Sequence, residues 1–140
     1  MSYGPGKEFE WTVALTLEAA GYKITQFPSP SCDDGVDIKY EIRPLAGLKS
    51  IELEGFVQCK ESKIDRPDVD QLYGALNRKN RPFGLLVTKG EATPAAKKCL
   101  KSLETRVKLI EGDEWSELEK QRQKNMLLRK FIGKSQFRGF

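Results

Sequence analysis

Ile51-Glu52-Leu53-Glu54-Gly55-Phe56-Val57-Gln58-Cys59-Lys60 alternates along its whole length. Successive strand side chains point to opposite faces. Ile51, Leu53, Val57 and Cys59 therefore share one face with Gly55, and Glu52, Glu54, Phe56, Gln58 and Lys60 share the other. Upstream, Val36 to Ile42 alternates too, with Val36, Ile38, Tyr40 and Ile42 on one side and Asp37, Lys39 and Glu41 on the other. The short connection Pro44 to Ser50 reads as a hairpin loop, which makes the pair antiparallel. In such a pair Asp37, at the start of one strand, lies near the end of the other that bears Gln58 and Lys60.

The elements on either side complete the pattern. Residues 7–20 read as a helix, with Phe9, Val13, Leu17 and Ala20 at helical spacing and Gly21 as its stop. Tyr22 to Phe27 reads as a short strand closed by Pro28 and Pro30, and Ser29 to Gly35 as a loop. Downstream, Pro67 in a first turn opens a helix carrying Val69, Leu72, Tyr73 and Leu76. Phe83 to Thr88 is a continuous apolar run, the signature of a strand buried on both faces. Thr93-Pro94 caps a helix over Ala95 to Leu103. Val107 to Ile110 reads as another short buried strand, and Asp113 as the cap of a last helix starting near Glu114. The order α-β-β-β-α-β-α-β-α predicts an α/β fold: a mixed sheet, antiparallel early and parallel late, flanked by helices.

The chain has 140 residues, one domain's length, with 39% hydrophobic and 31% charged residues. No apolar run is long enough to span a membrane, and no signal-peptide pattern opens the chain. Cys32, Cys59 and Cys99 form no disulfide framework or zinc pair, so an intracellular, cytoplasmic setting is expected. There is no histidine, which excludes imidazole catalysis and His-ligated zinc. Lys and Arg total 24 against 20 Asp and Glu, and seven of the 24 but none of the 20 fall in residues 120–140. A basic, acid-free terminus suits a polyanion partner and equally suits a solvated helix end. Its apolar residues Met126, Leu127, Leu128, Phe131 and Ile132 predict that part of it packs on something. Residues 1–119 are expected to form the main unit, and 120–140 a basic helix or tail of the same single domain.

Chemistry concentrates where the two central strands meet. Asp37, Gln58 and Lys60 gather on one patch, and Glu10, beside the apolar stripe of the first helix, is placed to reach its edge. Carboxylates, an amide oxygen and a backbone carbonyl form a hard-oxygen set suited to Mg²⁺, and a lysine beside it can orient and polarise an attacking water. Taken singly, Gln58 and Lys60 read as ordinary polar strand residues, Asp37 as a cap on turn amides, Glu8 and Glu10 as first-turn carboxylates favoured by the helix dipole, and Cys59 as core. The joint pattern, in this order, carries the functional reading.

That pattern resembles a known family. Gly6-Lys7-Glu8-Phe9-Glu10 opens a helix. Cys32-Asp33-Asp34-Gly35-Val36-Asp37-Ile38 and Val57-Gln58-Cys59-Lys60 follow, and then Val69-Asp70-Gln71-Leu72-Tyr73-Gly74-Ala75 and Gly84-Leu85-Leu86-Val87-Thr88-Lys89-Gly90. Together they resemble the Mrr-type restriction endonuclease catalytic domain of the PD-(D/E)XK nuclease superfamily, over roughly residues 4–118. The resemblance implies a restriction-endonuclease-like α-β-β-β-α-β core and Mg²⁺-dependent cleavage of DNA phosphodiesters, with Mn²⁺ as a substitute. It implies that Asp37 is the metal-binding aspartate, Gln58 the second-motif residue, Lys60 the catalytic lysine and Glu10 the assisting helix glutamate, with Glu8 as its fallback. The metal set becomes Asp37, Gln58, the Cys59 carbonyl and Glu10. Val36 stands where the superfamily's name has proline, and Asp34 where a glycine is usual. DNA is expected to contact Lys63, Arg66, Arg78, Lys79 and Arg81 together with Lys124, Arg129 and Lys130 of the tail. Restriction enzymes of this branch usually carry a separate DNA-reading domain, so a recognition subunit is an expected partner, as is a second copy in a homodimer. Two other readings stay open: a structure-selective Holliday-junction resolvase, and a catalytically weak DNA-binding or assembly subunit on the same fold.

Overall fold

The computed structural model describes residues 5–28, 36–42, 53–103 and 105–139. Helix α1 (Pro5–Ala19) comes first, then strands β1 (Lys23–Gln26), β2 (Ile38–Ile42) and β3 (Leu53–Lys60). A two-residue strand β4 (Lys63–Ile64) leads into α2 (Arg66–Arg78). Next are β5 (Gly84–Thr88), β6 (Glu91–Ala92), α3 (Pro94–Lys101), β7 (Val107–Ile110) and α4 (Gly112–Gly139). The main sheet runs β1-β2-β3-β5-β7. Its first three strands pair antiparallel and β3, β5 and β7 pair parallel. This is the mixed five-stranded sheet flanked by helices that the sequence pattern implies. The hairpin loop expected at residues 44–50, the loop at 29–35 and Cys32 lie outside the described residues.

Each face of the sheet has its own core. Phe9, Val13, Ala14 and Leu17 of α1 pack with Ile38, Tyr40, Val57, Leu85, Val87, Ile110 and Trp115. On the other face Phe56 and Leu86 meet Val69, Leu72, Ala75 and Leu76 of α2, with Ala96 and Leu100 of α3. The alternation in β3 is therefore real, with Val57 under α1 and Phe56 under α2. Every residue of β5 is buried, as a central parallel strand requires. Gly55 is needed for close packing, because a Cβ there would enter the Tyr40 ring.

Three expectations change. Val36 does not continue the face of Ile38 and Tyr40 but packs into the α2–α3 cluster, because regular pairing of β2 begins only at Ile38. β7 is an edge strand, so Lys108 is exposed and pairs with Glu114 at 3.7 Å, and the strand is not buried throughout. Met126, Leu127 and Leu128 are 50%, 67% and 57% exposed, so these three do not pack on the domain. α4 is anchored by Trp115 and Leu118 in its first turns and runs on past the sheet. The parallel pair β4–β6 was too short to leave a periodic signal.

Candidate active site

The parallel strands β3 and β5 end together, with Lys60 beside Thr88. β2 runs the other way, so its beginning lies at that same edge. Carboxyl ends of parallel strands are where open α/β sheets bind ligands. The backbone there is joined directly: Asp37 donates its N–H to the Val57 carbonyl at 2.9 Å. The Asp37 carboxylate (Oδ2) accepts the Cys59 N–H at 2.8 Å. Asp37 is thus pinned to the peptide link between Gln58 and Cys59, one residue short of Lys60.

The break in alternation at Val36 also turns Asp37 toward α1. Its carboxyl group meets that of Glu10, and Glu10 is ion-paired with Lys7 at 2.9 Å. Burial pushes the Asp37 carboxyl up to about 7, and the Glu10 carboxyl adds to the rise, while the Cys59 N–H and the Lys7 ammonium pull the other way. Burial likewise holds the Cys59 thiol well above its ordinary value. Glu8 is exposed on the outer side of the first turn, so Glu10 is the helix glutamate facing Asp37.

Gln58 and Lys60 point to the α2 face. Gln58 is buried and donates Nε2–H to Oε1 of Gln71 at 3.1 Å. Its own Oε1 is buried with no hydrogen-bond partner among the described residues. Lys60 is half exposed and lies 3.4 Å from Oδ1 of Asp68, whose side chain is only 8% exposed. The other oxygen of Asp68 accepts the Asp65 N–H at 2.8 Å, closing the first turn of α2. Asp68 and Gln71, three apart and so on one helix face, each hold one of the two β3 side chains. Sequence spacing did not single out either as a site residue; a helix-face polar pair opposite an i, i+2 polar strand pair is the signal that finds them.

Among the described residues no three His, Cys, Asp or Glu side chains form a metal cluster. The donors at this strand end are the facing carboxyls of Asp37 and Glu10, the adjoining backbone and, on the α2 face, the orphaned Gln58 oxygen; all are oxygens, the donor type a hard divalent cation takes. A buried amide oxygen without a donor and an Asp37 carboxyl pushed toward protonation by burial are both features a cation would relieve.

The expected DNA contacts divide into three groups. Lys63 and Arg66 sit at the site's edge, paired with Asp65 and Asp70 at 3.8 Å each. Lys89 joins them from the end of β5, 3.4 Å from Glu61 and over the Phe9 ring. Arg78, Lys79 and Arg81 lie around the far end of α2, about 18 Å along that helix. Arg81 is engaged with Glu54 at 3.2 Å and with the Phe56 ring. Lys124, Arg129 and Lys130 are exposed along α4.

Residues 4–118 match the restriction endonuclease family Mrr_cat. The chain belongs to that family. Among solved structures the Mrr-type fold here is similar to "MspJI Restriction Endonuclease in Complex with 27-mer Oligonucleotide", with TM-score 0.70 and 22% identity over 86% of this chain and 28% of that one. It is also similar to "DNA modification-dependent restriction endonuclease AspBHI", with TM-score 0.56 and 16% identity over 89% of this chain and 37% of that one. A third is a repair endonuclease from Pyrococcus abyssi, with TM-score 0.53 and 19% identity over 78% of this chain and 47% of that one. The chain thus spans between about a quarter and a half of the length of these proteins. No curated protein matches it. Among the described residues no helix is long and apolar enough to cross a membrane.

Proposed function

We propose that this Mrr-type domain is a metal-dependent DNA endonuclease acting through Asp37, Gln58, Lys60 and Glu10. The observation that carries this reading is the Asp37 carboxyl, fixed on the Cys59 N–H between Gln58 and Lys60 and facing Glu10. Asp37, the Gln58 Oε1, the Cys59 carbonyl and Glu10 would hold Mg²⁺, with Mn²⁺ as a substitute. The chemistry that a divalent cation supplies at such a site is Lewis-acid activation of a phosphate oxygen and of the attacking water.

The chain's own residues supply the rest. Asp37 must be ionised to ligate, so it gives up its proton when the site is loaded. Gln58 brings an oxygen without adding a charge. Lys60, on a flexible stem at the rim, orients the attacking water and offsets charge growing on the phosphate. Lys63, Arg66 and Lys89 present ammonium and guanidinium groups to the flanking phosphates, and Lys124, Arg129 and Lys130 extend the basic surface along α4. Phosphate contacts of this kind position a duplex without reading its sequence. Sequence or modification readout then belongs to another domain or subunit, consistent with the fraction of the matched proteins that this chain spans.

The test is cleavage of supercoiled plasmid, methylated and unmethylated duplex, single strand and a four-way junction, with Mg²⁺ or Mn²⁺ and with EDTA. Metal-dependent cutting of duplex supports the proposal. Preference for the junction by a homodimer would move the assignment to a resolvase. Salt-sensitive DNA binding with no cutting of any substrate would leave a binding subunit and refute the enzyme.

A further inference from the structure

Gln58 is the one proposed ligand whose usefulness depends on which way round it sits. A carboxylate offers an oxygen in either orientation, but an amide offers an oxygen on one side and an NH₂ on the other. Gln58 is 4% exposed, so both ends of its amide need partners inside the protein. Nε2 donates to Gln71 Oε1 at 3.1 Å, and Oε1 has no partner among the described residues. The two strand side chains at the site are thereby both held from one face of α2: Gln58 by Gln71, and Lys60 by Asp68 at 3.4 Å.

We propose that Gln71 is a positioning residue that accepts from Gln58 Nε2 and so turns the Gln58 carbonyl oxygen toward the metal. The inference rests on the site reading above. Without an acceptor at position 71, the buried NH₂ needs another one. An amide that turns over to find one takes its oxygen off the metal. Residues that orient metal ligands typically change affinity by about 10–100-fold when removed.

The experiment measures Mn²⁺ binding to the protein alone, without DNA, from the loss of the free-ion electron paramagnetic resonance signal. The parent is compared with Gln71→Met, Gln71→Glu, Gln58→Ala, Gln58→Glu and the Gln58→Glu/Gln71→Met double variant. Methionine keeps the length and helix preference of glutamine but accepts hydrogen bonds only weakly. Gln71→Met should weaken Mn²⁺ binding by about tenfold or more, and Gln71→Glu, which still accepts, should bind at least as well as the parent. The double variant should bind as Gln58→Glu does, because a carboxylate at position 58 needs no orienting. Equal losses in the two backgrounds would mean that position 71 merely supports α2 and would overturn the proposal. So would parent-like binding by Gln71→Met while Gln58→Ala binds weakly, which leaves the site reading intact. A parent that binds no Mn²⁺, or a Gln58→Ala protein that binds as the parent does, would overturn the site reading and this inference together.

Discussion

Asp37 should make the metal-free protein less stable as pH rises. Its carboxyl moves from 3.8 to about 7 on folding, chiefly through burial and then through the Glu10 carboxyl beside it. The folded state therefore binds this proton more tightly than the unfolded chain does. The resulting stabilisation is fully present below 3.8 and is lost as pH climbs through about 7. Integrated between about pH 5 and about pH 8, a shift of this size amounts to about 2–3 kcal/mol. Asp37→Asn keeps an oxygen for the Cys59 N–H and has no charge to bury. Its stability advantage over the parent should then widen by that amount, about 2–3 kcal/mol, across the same pH range. Urea unfolding in EDTA, with both proteins at the two pH values, measures the gap. An unchanged gap, or a parent that gains on the variant as pH rises, would refute the buried carboxyl pair. A buried carboxyl that costs stability at neutral pH is a feature of sites built for function rather than for the fold.

Other consequences can be checked more simply. Gly55→Ala places a methyl against the Tyr40 ring and should cost about 1–3 kcal/mol of stability by chemical denaturation. Trp115→Ala should cost about 3–5 kcal/mol, since the first turn of α4 belongs to the α1-side core. Truncation after Glu119 removes seven basic residues and should flatten the salt dependence of DNA affinity in a fluorescence-anisotropy titration. Arg81→Ala should barely change that affinity, because Arg81 is occupied by Glu54 and Phe56, whereas Arg66→Ala at the site's edge should lower it.

Much of this fold was legible in the sequence, for identifiable reasons. β3 and β5 announce themselves because alternation and an unbroken apolar run are strong periodic signals. Thr93-Pro94 marks α3 through cap chemistry that is local, and the Thr93 hydroxyl does accept the Ala96 N–H at 3.3 Å. β4 and β6, two residues each, have no period to read. Alternation alone carries β2 two residues too far upstream, to Val36, whereas regular pairing begins at Ile38. The edge position of β7 follows from sheet order, which apolar content alone does not give. At the site, spacing was enough to bring Asp37, Gln58 and Lys60 to one strand end, and the stripe of α1 was enough to place Glu10 near them. The Asp68 and Gln71 contacts escaped because they depend on how α2 crosses β3. Arg78, Lys79 and Arg81 were grouped with Lys63 and Arg66 by charge alone, and the length of α2 separates them.

The central claim is that Asp37 and Lys60 act together at one metal-dependent site. The most direct measurement is nicking of supercoiled plasmid by the parent, Asp37→Ala and Lys60→Ala proteins, with Mg²⁺ and with EDTA. The account predicts cutting by the parent only with metal, and a loss of about 10²–10³-fold or more in each variant. Cutting that survives EDTA, or that either variant retains at the parent's rate, would contradict it.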